Sequence, residues 1–513
     1  MTAESTDAAL LTDRYELTML DAALRDGTAM LPCSFEVFAR RLPPRRRYGV
    51  FAGLGRLLPL LEAFRFDRRD IEALEADGVI SAPTAAFLAT WRFDGTVDAY
   101  HEGELYVPGS PVATVTAPFA TATLVETLVL SVLNHDSAVA AAASRMVGVA
   151  GGRDLIEMGA RRTHEVAAIA NARAAYLAGF AATSNLAAGL RFGVPTRGTA
   201  AHSFTLLHAA QAPDGIGFDP GEAERQAFRS QLDTLGPDTT LLVDTFDIVR
   251  GIENAVAVAA ERGLRGPGGI RIDSGDPTVE VRRARQLLDR LGAMRTRIVI
   301  TGDVDEHLIA QLAASGAPVD AFGVGSKVAD GSGHPSAGFV YKLVAVTRTD
   351  GVTIAVAKRS TAKASAPGRK LAWRVLDREG FALAERVVPR PGPVRGRRVD
   401  VRVGSPDSRL VPDTRVAPDT RVAPDSRVAP DSRVASDGRL VPDGRLVPDG
   451  RLVPDQPGER ALQYTVMVDG RITPTGHRVT DLATARRHHA ESFGELRPAQ
   501  RDLSEATPAF TAA

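Results

Sequence analysis

Through the middle of the chain the apolar positions gather into short continuous runs, each ending in an acid or glycine turn and each followed by a helix-like segment. LLVDTFD (241–247) leads into IVRGIENAVAVAAERG, GIRIDSGD (269–276) into VEVRRARQLLDRLG, and RIVITGDVD (297–305) into EHLIAQLAASG, before VDAFGVGSKV (319–328) closes the series. Unbroken apolar runs suit strands buried on both faces, and helices of this length are the usual crossovers between parallel strands. Four such units in succession predict a barrel or a doubly wound sheet. The polar residues of each unit sit at the carboxyl end of its strand: Asp244 and Asp247, Asp273 and Asp276, Asp303 and Asp305, then Gly323 and Gly325. That is the end on which βα-barrels build their active sites, and a purely structural sheet has no need of acids there.

The flanking sequence lacks this rhythm. Residues 1–140 mix helical and strand-like patterns, as in SFEVFARRLPPRRRYGVFAGL (34–54), and are expected to form a separate α+β domain beside a barrel domain at 141–365. Residues 366–405 and 456–513 are expected to pack on the N-terminal domain. Between them, 406–453 is a tandem hexapeptide of the type PDSRLV, PDTRVA, PDGRLV. Proline recurring in nearly every unit forbids a continuous helix, and each unit balances one Asp against one Arg, so an extended or disordered insert is expected. An aliphatic residue every six positions also fits a β-solenoid coil, but partner strands for one are missing elsewhere.

Size and charge narrow the class. With 513 residues and 44% apolar content the chain can bury more than one core. The 62 basic and 62 acidic residues cancel, leaving no global field to attract nucleic acid or an anionic membrane. Cys33 is the only cysteine, which excludes an intramolecular disulfide framework and a cysteine-rich zinc site and agrees with a reducing cytoplasm. The N-terminus MTAESTDAALLTDRYEL has no basic region followed by an apolar one, and the alanine-rich stretch 137–152 is broken by Arg145. A cytoplasmic protein acting on a small molecule is the expectation.

The most informative segment is EMGARRTHEVAAIANARAAYLAGFAATSNLAAGLRFGVPTRGTAAHSF, residues 157–204. Arg161 and Arg162 flank a glycine turn before an alanine-rich helix. Thr183 and Ser184 precede a second short helix, where Ser184 reads either as an anion-binding donor or as a plain N-cap. His202 follows the small-residue turn Gly198–Ala201, which would present one imidazole; a lone histidine is also often only structural.

TDRYELTM (12–19), FEVFARRLP (35–43), EMG-x-RR-x-HE, TSN, GTAAHS, VDTFD, IRIDSGD, TGD and FGVGS-KV occur in the order and near the separations found in the nicotinate phosphoribosyltransferase family, which this chain resembles. The resemblance runs almost continuously from residue 10 to 360 and resumes at TDLATARRHHAESFGEL (480–496). It implies an irregular α/β barrel of the type II phosphoribosyltransferase kind packed against an α+β domain, assembled as a homodimer with active sites at the subunit interface. The implied reaction joins nicotinate to 5-phosphoribosyl 1-pyrophosphate with ATP as co-substrate and Mg2+ as cofactor, giving nicotinate mononucleotide and pyrophosphate.

By the same resemblance, His202 is the residue that ATP phosphorylates; an imidazole is a good phosphoryl acceptor. Arg271 and Asp273 are implied to hold the ribose and phosphates, Asp273 also supporting Mg2+. Gly302 and Asp303, then Gly323 and Gly325, match turns that would receive the 5′-phosphate, with Lys327 close by. Tyr15 matches an aromatic donated by the neighbouring subunit to stack on the pyridine ring, and Arg161 and Ser184 would face its carboxylate. Amide-specific relatives carry aspartate where this chain has Ser184. Met158 stands where some relatives have an aromatic residue, so one face of the pyridine sandwich would be a thioether. The alternatives are a nicotinamide or quinolinate phosphoribosyltransferase, and a non-catalytic scaffold with the hexapeptide tract as an interaction arm.

Overall fold

The computed structural model describes residues 8–210, 219–358, 365–390, 458–503 and 507–512, so the hexapeptide tract lies outside the described residues. The four apolar runs fold as strands Thr240–Leu242, Gly269–Ile272, Arg297–Ile300 and Ala321–Val324, and helices Ile248–Ala260, Pro277–Arg290 and Glu306–Ala314 connect them. Strands Asp154–Glu157 and Ala182–Thr183 extend the same sheet. All six run parallel, in the order Ala182–Thr183, Asp154–Glu157, Ala321–Val324, Arg297–Ile300, Gly269–Ile272, Thr240–Leu242. The two outer strands do not pair with one another among the described residues, so the sheet is an open, irregular half-barrel. Each connecting helix turns an apolar stripe toward it: Pro277–Arg290 buries Val281, Ala284, Leu287 and Leu288, the spacing of one helical face.

The second layer is a seven-stranded sheet assembled from three distant stretches of chain. Pro32–Ala39 lies between Phe339–Thr347 and Ala113–Pro118, and Thr96–Tyr100 pairs in turn with Gln463–Val468. Phe339–Thr347 and Thr353–Ala355 thus belong to this antiparallel sheet, although the sequence reading put them within the 141–365 barrel segment. The reason is visible in FVYKLVAVT, whose buried and half-buried positions interleave as in a strand with one covered face, whereas the barrel strands are almost uniformly buried. C-terminal strands Lys370–Leu376, Ala382–Pro389, Glu459–Ala461 and Thr511–Ala512 make a further small sheet.

One helix joins the two cores. Along Glu126–Val149, Leu128, Val129, Val132 and Leu133 pack into the N-terminal core, whereas Val139, Ala140, Ala141, Ala143 and Met146 pack into the barrel core. The alanine run that the sequence places here lets neighbouring elements approach closely. No helix of the described residues is long and apolar enough to cross a membrane.

A buried ion pair fixes the layers relative to each other. Glu102 receives both Arg173 terminal nitrogens at 2.6 and 2.7 Å and the Gly53 N–H at 2.7 Å, all shielded from solvent. Removing one member of such a pair strands the other charge in the interior, at a cost of about 3–5 kcal/mol. Arg173→Met is therefore expected to lower the urea midpoint strongly, and adding Glu102→Gln should recover part of the loss; equal midpoints for wild type and Arg173→Met would exclude this role.

Candidate active site

The carboxyl ends of the barrel strands surround a cleft of about 230 Å3 lined by Met158, Arg161, Arg162, Arg271, Asp273, Thr301, Gly302, Asp303, Gly323, Gly325 and Lys327. Of the residues singled out in the sequence, Arg161, Arg271, Asp273, Gly302, Asp303, Gly323 and Gly325 come together here, with Lys327. Ser184, His202 and Tyr15 do not line it.

Arg271 stands on its strand with every arm of the guanidinium engaged: Nε donates to Thr301 Oγ1 at 2.8 Å, one terminal nitrogen to Thr199 Oγ1 at 3.1 Å and the other to Asp273 Oδ1 at 2.8 Å. The Thr301 hydroxyl also donates to Asp273. Burial alone would raise the Asp273 pKa, but these hydrogen bonds outweigh it, with help from the nearby Arg271 and His202 charges, and hold the carboxyl below its ordinary value. Arg161 and Arg162 leave a short 3-10 turn, Ala160–Arg162, and neither forms an ion pair among the described residues. The cleft therefore combines one prearranged Arg–Asp unit with cations available to an anionic ligand.

His202 begins the helix His202–Ala209 beside the cleft. Its Nδ1 lies 3.1 Å from Thr245 Oγ1, its Nε2 4.0 Å from Asp244 Oδ1, and the ring is 40% exposed. Asp244 Oδ2 accepts from the Asp273 N–H at 2.8 Å and from Ser274 Oγ at 2.7 Å, while the buried Oδ1 has no hydrogen-bond partner. One carboxylate thus ties the histidine to the Arg271–Asp273 unit. The sequence pattern marked Asp244 only as one acid among six, and Thr301 and Thr199 gave no signal, because their value lies in contacts between strands.

Three of those six acids have a different duty. Asp247, Asp276 and Asp305 cap the helices that follow, accepting from Arg250 N, from Thr278 N, and from His307 N and Leu308 N. The expectation that a structural sheet needs no acids at its strand ends is corrected for these: the free N–H groups of each helix require them. The N-cap reading of Ser184 is corrected in the same way. Asn185 caps Leu186–Phe192, its Oδ1 accepting from Ala188 N at 2.9 Å, and Ser184 sits exposed one residue earlier.

Tyr15 lies on the N-terminal helix Arg14–Asp26, 44% exposed. Burial, and then the nearby carboxylates Glu126, Glu16 and Asp13, push its hydroxyl up to about 12. Around the cleft, the glycines serve different ends. Gly302 has φ +85°, and a Cβ there would stand 2.3 Å from the Asp273 carbonyl oxygen; Gly323 makes room instead for the Thr301 and Met158 side chains.

A parallel half-barrel carrying this cleft at its strand ends, packed on an α+β layer, is the architecture of a type II phosphoribosyltransferase. Residues 10–134 match the N-terminal domain of nicotinate phosphoribosyltransferase. The chain is 57% identical over 387 residues to nicotinate phosphoribosyltransferase pncB1 of Mycobacterium tuberculosis, covering 75% of this chain and 82% of the relative. It is 37% identical over 373 residues to the Bacillus subtilis nicotinate phosphoribosyltransferase, covering 72% and 73%. The crystal structure of human nicotinic acid phosphoribosyltransferase superposes with a TM-score of 0.71 at 25% identity, over 98% of this chain and 97% of that one. The chain belongs to the nicotinate phosphoribosyltransferase family.

Because any side chain at 302 would both strain the backbone and displace Asp273, Gly302→Ala should cut turnover about a hundredfold while the circular dichroism spectrum stays native. Turnover within threefold of wild type would show that the Gly302 turn does not set the position of Asp273.

Proposed function

We propose that this protein joins nicotinate to 5-phosphoribosyl 1-pyrophosphate, forming nicotinate mononucleotide and pyrophosphate, with ATP hydrolysis coupled through His202. The observation that carries the reading is the continuity from His202, beside the cleft, through Asp244 to Asp273 and Arg271 in its wall. The nicotinate ring nitrogen attacks C1 of the ribose as the bond to pyrophosphate breaks, so positive charge grows on the sugar. Asp273, kept ionised by Thr301 and Arg271, faces that charge, while Lys327 is placed to receive phosphate oxygens and Arg161 and Arg162 the nicotinate carboxylate. A nitrogen of His202 accepts the terminal phosphoryl group of ATP as ADP leaves, and water later removes it. The phosphorylated ring would add negative charge beside the wall that holds the donor substrate.

The donor set also suits Mg2+. Asp273 and Asp303 both line the cleft, at the ends of neighbouring strands. Two carboxylates with substrate oxygens are the usual company of this ion. Asp273 and Asp303 would hold it, and it would neutralise charge on the departing pyrophosphate.

Tyr15 stands outside the cleft of its own chain, which supports a homodimer in which each subunit lends this ring to its partner's site. A single buried cysteine and a chain without net charge agree with a cytoplasmic enzyme that binds neither nucleic acid nor membrane.

His202→Ala is expected to abolish nicotinate-dependent ATP hydrolysis while leaving a slow, ATP-independent transfer. Acid-labile label from ATP on the His202→Ala protein would assign the phosphorylated residue elsewhere.

Substrate choice gives a second test. An aspartate at 184 would face the nicotinate carboxylate with like charge, and at 4 Å with an effective dielectric near 20 the repulsion is about 4 kcal/mol, roughly a thousandfold in binding. Wild type should accordingly favour nicotinate over nicotinamide in kcat/KM, and Ser184→Asp should shrink that preference. Equal use of both by wild type would reject the acid-specific reading, and an unchanged preference in Ser184→Asp would reject the role of Ser184 alone.

A further inference from the structure

Glu157 ends the barrel strand Asp154–Glu157 with its side chain fully buried, yet it forms no ion pair among the described residues. Its register places it between two neighbours, opposite Thr183 on one side and Val324 on the other. Both carboxylate oxygens are engaged by uncharged donors. Oε1 accepts from Gly159 N at 2.6 Å and Oε2 from Thr183 Oγ1 at 2.6 Å, and the Glu157 carbonyl accepts from Ser184 N at 2.8 Å. Thr183 Oγ1 in turn accepts from Asn185 N at 3.0 Å, and Asn185 caps the next helix.

The Gly159 turn is held tightly. A Cβ at Gly159 would lie 2.8 Å from Glu157 Oε1, 2.9 Å from Ala329 Cβ and 2.9 Å from the Gly325 carbonyl oxygen, so the turn is wedged between the carboxylate and the Gly323–Gly325 strand end. Burial pushes the carboxyl above its ordinary range, opposed by the Thr183 and Gly159 hydrogen bonds. A carboxyl buried at that cost, with no cation beside it among the described residues, is poor as a source of stability and effective as a rigid fork.

What the fork holds is informative. One tine fixes the turn that carries Met158, Arg161 and Arg162; the other fixes the loop that carries Ser184. Resting on the reading above, in which these two segments recognise the pyridine carboxylate, we propose that Glu157 is the positioning residue for nicotinate, setting the spacing between its cationic and hydroxyl contacts without touching the substrate. Arg271, Asp273 and the turn at Gly302, which serve the ribose and the phosphates, hang on other strands and make no hydrogen bond to Glu157.

Thr183→Val removes one tine while keeping its shape, and Glu157→Gln takes the acceptor away from the Thr183 hydroxyl, which must then turn from donor to acceptor. Each should raise KM for nicotinate about tenfold, with kcat and the KM for 5-phosphoribosyl 1-pyrophosphate moving far less and the melting temperature within a few degrees of wild type. The double variant should be no worse than the worse single one, because both lose the same bond. A nicotinate KM within twofold of wild type in Thr183→Val, a parallel loss of kcat and of affinity for both substrates, or additive effects in the double variant would each overturn the proposal. The companion measurement is wild-type turnover of nicotinate: if wild type does not consume it, the proposed activity fails, whereas turnover by wild type with an unchanged KM in the variants removes only the role of Glu157.

Discussion

The arrangement of the whole chain rests on the Glu102–Arg173 pair. Glu102 belongs to the N-terminal layer, where it also receives the N–H groups of Gly53 and Gly55; Arg173 belongs to the helix Glu165–Leu177 of the barrel half and reaches Thr480 of the C-terminal segment at 3.3 Å. Three stretches of sequence far apart thus converge on two side chains. The approach is so close that a Cβ at Gly55 would stand 2.2 Å from an Arg173 terminal nitrogen. A buried carboxylate and guanidinium satisfy each other only in a narrow geometry, so the pair acts less as glue than as a gauge of the distance between layers. The same guanidinium lies 5.5 Å from the centre of the Phe192 ring, which puts the gauge at the back of the helix that follows Ser184.

From there the logic of the barrel follows from helix ends. Every connecting helix begins at the carboxyl end of a strand and leaves N–H groups to be satisfied. Asp247, Asp276 and Asp305 meet that requirement. Once the caps are supplied, the remaining acids Asp244, Asp273 and Asp303 are free for other work. Asp244 then spends one oxygen on the Asp273 backbone and keeps the other without a protein partner beside His202.

How far this was legible in the sequence depends on the range of the interaction. The βα units were readable because strand burial and helix periodicity are written in consecutive residues, and Asp273, Asp303, Gly323 and Gly325 stand out at the ends of those strands, whereas only the family resemblance points to Arg271 and Gly302. The separation of caps from site acids was not readable, since both kinds of aspartate occupy the same turns and differ only in which way the side chain points. Asn185 took the cap that Ser184 could equally have made, a choice decided by one residue of register. The one-faced burial of Phe339–Thr347 is a local pattern, but its partner, Pro32–Ala39, lies some three hundred positions earlier, where no local pattern reaches. Nothing local in the EMG-x-RR motif marks a role for Glu157, as its two partners come from different loops.

The cleft divides its charges into two groups with different energetics. Arg271 and Asp273 are already paired, hydrogen-bonded through Thr301 and Thr199, so their orientation is settled during folding and no rearrangement is charged to the reaction. Arg161 and Arg162 are exposed and have no acid of their own among the described residues, so they are open to an arriving anion. A chain with no net charge can therefore hold a strongly anionic substrate, because selectivity for it is set by which cations the fold leaves unpaired and not by how many it has. Pairing some groups and leaving others unpaired lets one small cleft be rigid along one wall and still attractive to an anion along another.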